Sequence, residues 1–122
     1  MFVAAANQAQ AEMLTPLTVE KYVVVKIAAL KQQVQDMALS LHRRESGQLN
    51  ENNPNIGAAS VNAIYQQNKT NFMEHLRFAN ANEKKIASWL RHNQEQMLMI
   101  EQLQQEQVRL SMLLEHAALV SE

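Results

Sequence analysis

The chain has no cysteine, which excludes disulfides, thiol nucleophiles and thiolate metal sites. It has two glycines and two prolines in 122 residues, too few turn formers for a fold of many strands. Aromatic residues make up only 5 %. No apolar run approaches the roughly 18–20 residues that a membrane span requires. The opening Met-Phe-Val-Ala-Ala-Ala lacks the positive n-region and long apolar stretch of a secretory signal. The expected location is cytoplasmic, with export by an uncleaved route left open. A net charge of −1 and a pI near 6.4 create no field that would draw in nucleic acid or an anionic membrane.

What is present is a set of apolar residues at helical spacing with polar, mostly uncharged residues between them. Asn and Gln number 11 and 14, scattered rather than run together, as on a neutral solvated helix surface. The length suits one domain. We read residues 1–15 as a short leader and 16–122 as a single helical domain, with a helix over about 16–45, a loop over about 46–58, and one long helix or two over about 59–120. Thr15-Pro16 has the chemistry of a helix start, Gly47 and Asn53-Pro54 that of a reversal, and Ser60 that of a second N-cap.

In the first helix Val23, Ile27, Leu30, Val34, Met37 and Leu41 step by alternating fours and threes, a heptad seam. A strand over Tyr22–Val25 competes on β-branching alone, but the heptad continues through Lys31–Asp36, which is rich in helix formers. Tyr22, Val24, Val25, Ala28 and Ala29 lie off the seam, so this half should meet neighbours on more than one side. The second seam runs Val61, Tyr65, Asn68, Phe72, Leu76, Ala79, Glu83, Ile86, Leu90, Asn93, Met97, Ile100. It then moves by a three-residue step to Leu103, Gln107, Leu110, Leu114 and Ala117. Asn68, Glu83 and Asn93 are its weak points.

The expected fold is therefore all-α: a long antiparallel helical hairpin with coiled-coil-like packing. An unbroken second helix would reach about 90 Å against about 45 Å for the first, leaving much of it bare. We therefore expect a dimeric helical bundle, with a break near Asn80–Glu83 as the rival arrangement.

No chemistry stands out. His42, His75, His92 and His116 form no Glu-x-x-His or His-x-x-x-His pair, and are expected to be solvated rather than to hold metal. There is no phosphate loop or Gly-x-Ser-x-Gly elbow, so neither an enzyme nor a cofactor is expected. His42-Arg43-Arg44 suits the dipole at a helix C-terminus; a nucleic-acid footprint would need more cations along one face. The charge is nevertheless divided. Lys69, Arg77, Lys84, Lys85 and Arg91 crowd one block, whereas Glu95, Glu101, Glu106, Glu115 and Glu122 dominate the next, an arrangement that head-to-tail or antiparallel association would pair.

The functional expectation is a non-enzymatic protein-binding module that dimerises and sequesters, chaperones or inhibits another protein through helix faces. The alternative is a structural or adaptor subunit of a larger assembly, such as a secretion apparatus or phage particle; a nucleic-acid-associated regulator ranks below both. The residues expected at the partner or self-association face are Trp89, Met97, Met99, Ile100, Leu103, Leu110, Met112, Leu113, Leu114 and Leu119. Trp89 fits either a core edge or an interface hot spot, and off-seam Met99 and Met112 suit an adaptable apolar surface.

Overall fold

The computed structural model describes residues 16–45 and 55–120; the expected leader and most of the expected loop lie outside them. Among the described residues the chain is all-helical, without strands. Its helices are α1 (Val19–Glu45), α2 (Asn55–Gln67), α3 (Phe72–Ala81), α4 (Glu83–His92) and α5 (Gln94–Val120).

α1 starts at Val19 rather than Pro16 because Thr18 supplies the cap. Its Oγ1 accepts the Lys21 N–H at 3.2 Å, and its carbonyl accepts the Tyr22 N–H at 2.8 Å. The helix then runs through the Tyr22–Val25 segment to Glu45, with His42, Arg43 and Arg44 in its last turn. α2 begins at Asn55, so Ser60 lies inside the helix instead of capping it.

The expected long second helix is broken three times. α2 closes in a Schellman arrangement: Thr70 N–H reaches back to the Tyr65 carbonyl and Lys69 N–H to the Gln66 carbonyl, both at 3.0 Å, with Lys69 in the left-handed region at φ 56°. Asn71 then caps α3, its side chain accepting the Glu74 N–H at 2.9 Å. Further breaks fall at Asn82 and Asn93, the C-caps of α3 and α4. Asn68, Asn82 and Asn93 share one device. Each side-chain amide donates to the carbonyl four residues back, Ile64 at 2.8 Å, Phe78 at 3.0 Å and Trp89 at 2.8 Å. A short polar side chain at each break thereby satisfies a backbone acceptor of the helix that is ending.

α1 is the axis of the molecule and touches all four other helices. On one side Tyr22, Val23, Ile27 and Leu30 form a core with Ile100 of α5, packed around by Phe78, Ala79, Ile86, Trp89, Leu90, Met99 and Leu103. On another, Val25 and Ala29 meet Val61, Ile64 and Tyr65 of α2. Val23 and Val25 are fully buried; each such side chain contributes about 1.5–3 kcal/mol.

The pairing directions overturn the expected hairpin of two long antiparallel helices. α2 runs antiparallel to α1, because Val61 and Tyr65 pack on Val25 and Ala29 while Tyr65 ends beside the Tyr22–His75 stack. α5 runs parallel to α1: Ile100 sits among Tyr22–Leu30, and further along both helices Gln107 meets Gln33 at 2.7 Å. The short helices α2 to α4 carry the chain back to the start of α1, and α5 then climbs beside it.

Candidate helix-face interface

The parallel pair α1–α5 keeps the heptads in register. Ile100 packs in one cluster with Ile27 and Leu30, Leu103 packs against it, and Gln107 bonds Gln33; the shared heptad step then sets Met37 level with Leu110 and Leu41 with Leu114. The one polar member, Gln107, is half-buried, and its Nε2 donates to Gln33 Oε1. Ile100 and Leu110 are buried; Leu103, Gln107, Leu114 and Ala117 are half-buried. The register that follows the three-residue step thus describes the face that α5 turns towards α1.

This divides the ten residues expected at an association face. Trp89, Met99, Ile100 and Leu103 belong to the core around α1, and Leu110 is buried. Met97 and Leu114 are half-buried. Met112 at 65 % and Leu113 at 38 % are exposed, and the Leu119 side chain lies outside the described residues. The chain satisfies most of the apolar demand of Met97–Ala117 internally, because the breaks at Asn68–Asn71, Asn82 and Asn93 let it fold back.

Other exposed residues take over the outward surface. Leu98 and Val108 lie outward on α5, with Leu39 on α1, and Phe72, Met73 and Leu76 stand exposed on α3. Phe72 and Leu76 were expected on the seam. The break before α3 shifts its phase, so His75 and Phe78 turn inward beside Ala79, which was expected there. Glu74, beside His75, points away and pairs with Arg77 at 2.9 Å. On α5 Glu106 pairs with Arg109; this hydrogen bond lowers the Glu106 pKa and raises that of Arg109.

The junction of α1, α2 and α3 holds an aromatic cluster that the sequence patterns did not anticipate. The His75 ring stacks on Tyr22 at 4.2 Å and is tilted 48° against Tyr65 at 5.2 Å. Tyr22 also stacks on Phe78 at 5.5 Å, and Tyr65 meets Phe72 at 6.2 Å. His75 is buried rather than solvated, and its Nδ1 has no hydrogen-bond partner among the described residues. Burial first, and then the charge of Lys26, lower its pKa from 6.5 to about 4. Lys26 Nζ stands 5.9 Å above the Tyr22 ring. Burial also raises both tyrosines, Tyr22 further through Tyr65. A signal for this cluster was available. Asn71, Asn82 and Asn93 recur at eleven-residue spacing, and the same offsets from them place His75 and Ile86, and Phe78 and Trp89, on the inward side.

Two open clefts border α3, of about 480 and 520 Å³, and share Thr70, Glu74 and Arg77. Beyond that ion pair, the titratable group lining either cleft is Tyr65. Among the described residues no group of three His, Asp or Glu could hold a metal ion, and no helix is long and apolar enough to cross a membrane. Compared with protein-family models, curated proteins and solved structures, the chain matches none.

Proposed function

We propose that this chain is a non-enzymatic protein-binding module that self-associates and holds a partner protein, in order to sequester, chaperone or inhibit it, through helix faces. The observation that supports the reading is an uncovered stretch of the α1–α5 pair. Beyond the Gln33–Gln107 contact, Leu39 on α1 and Val108, Met112 and Leu113 on α5 are exposed. Such apolar side chains on an otherwise Gln- and Glu-rich surface are the anchors a helical partner would use.

The test pairs two substitutions. Met112→Glu should abolish capture of a partner from the native source while leaving helicity and thermal unfolding unchanged, with Gln104→Glu as an exposed control. If both variants capture the partner as the natural chain does, this face is not the binding surface. Leu114→Glu is a poorer choice, since the half-buried Leu114 supports the seam itself.

The second reading, a structural or adaptor subunit, draws on a separate observation: Phe72, Met73 and Leu76 make a further exposed apolar surface on α3. Two sticky faces on one subunit favour chains or rings. Sedimentation distinguishes the readings, discrete small species supporting the first and concentration-dependent polymers the second.

A further inference from the structure

The elbow between α4 and α5 carries a charge pattern that mirrors itself about Asn93. Lys85 lies as far before Asn93 as Glu101 lies after it, and Arg91 as far before as Glu95 after. All four side chains are exposed, and none makes an ion pair with a described residue. Leu98, 51 % exposed, stands between the two carboxylates, and on α4 the small residues Ala87 and Ser88 stand between the two cations. Arg91 and Glu95 also suit the dipoles of the helix ends they occupy. That explanation does not reach Glu101, about two turns beyond Asn93, or Lys85, a cation in the first turn of α4, where the helix dipole disfavours it.

We infer that a second copy of this chain docks on the elbow with two-fold symmetry, α4 of each copy lying on α5 of the other. This rests on the reading of self-association through helix faces and specifies the face. A two-fold axis parallel to the bisector of the elbow, displaced out of its plane by half a helix-to-helix spacing, lays equal distances from Asn93 over one another, whatever the angle between the helices. Lys85 then meets Glu101 of the second copy and Arg91 meets Glu95, and the reciprocal contacts repeat both pairs. Leu98 fills the recess over Ala87 and Ser88. The contact is self-complementary, so it closes at two copies. Because its ion pairs are solvent-exposed, it weakens with salt.

Sedimentation velocity of the full chain, at roughly 50 and 500 mM salt, tests this with two double variants. The natural chain should dimerise, more weakly at high salt. Lys85→Glu with Arg91→Glu, and separately Glu95→Lys with Glu101→Lys, should each weaken dimerisation by at least about tenfold while retaining the circular dichroism of the natural chain. An equimolar mixture of the two variants, one wholly acidic and one wholly basic along the stripe, should restore a dimer. A dimer that persists in both variants, or a mixture that stays monomeric, overturns this face while self-association elsewhere survives. A natural chain that stays monomeric at low salt removes the self-association on which both conclusions rest.

Discussion

Gln107 on α5 donates its side-chain amide to the Gln33 oxygen on α1 at 2.7 Å, from a seam position otherwise flanked by apolar layers. A polar residue at such a position sets which turns of two helices lie side by side, at some cost in stability. Gln107→Leu is expected to raise stability by about 1 kcal/mol in urea unfolding, because it adds apolar burial and leaves half-buried Gln33 able to bond water. A loss of stability would mean that the amide pair contributes more than leucine packing can.

His75 predicts a pH dependence of definite sign. Its folded pKa of about 4 lies below the ordinary 6.5, so the unfolded chain takes up a proton that the folded chain refuses. Stability is complete above about pH 6.5 and falls as the pH drops towards 4, by about 3 kcal/mol from this group. Below that the loss levels off. Lys26, facing the ring from α1, deepens the effect. His75→Phe, which keeps the stack on Tyr22 and Tyr65, should flatten thermal unfolding between pH 7 and 4.5; an unchanged slope would assign it to carboxylates.

Lys69 occupies the left-handed position that closes α2, where a β-carbon is unfavourable and glycine is the usual occupant. Lys69→Gly should stabilise the fold by ~0.5–1 kcal/mol, read as a higher midpoint in thermal or urea unfolding. Lys69→Val should destabilise it, since a β-branched residue fits this position worse still.

Core and surface on α5 should separate cleanly. Ile100→Ala empties part of the central cluster and is expected to cost about 2–5 kcal/mol. Val108→Ala, at a position 60 % exposed, should stay within about 0.5 kcal/mol. Comparable losses in urea unfolding would mean that the outward face of α5 is covered.

The helical class and the inward face of α1 were legible because one periodicity persists from Val23 to Leu41 and burial follows it. The inward face of α5 beyond Ile100 was legible for the same reason. The middle of the chain was not. Asn68 and Asn93 read as weak members of one long seam, and Asn82 as part of the rival break near Asn80–Glu83, whereas all three are breaks, and hydrophobic spacing does not register a side-chain amide bonding a carbonyl four residues back. Because the break near Asn80–Glu83 ranked as the rival arrangement and Asn68 and Asn93 did not read as breaks, α5 was drawn antiparallel to α1 instead of parallel to it. His75 was misplaced because its inward turn depends on the phase reset at Asn71.

The parallel seam also bears on how the chain comes to be folded. Gln33 and Gln107 are 74 residues apart, and Ile100 is similarly distant from the α1 residues it covers. Partners so remote in sequence meet only after the loop between them is closed, which slows folding relative to a bundle of neighbouring helices. During synthesis α1 and α2 can pair early, but the side of α1 formed by Tyr22, Val23, Ile27 and Leu30 is not fully covered until Ile100 of α5 joins Phe78, Ala79, Ile86, Trp89 and Leu90 on it. The nascent chain therefore carries this face incompletely covered for most of its synthesis, the interval in which it is most exposed to aggregation.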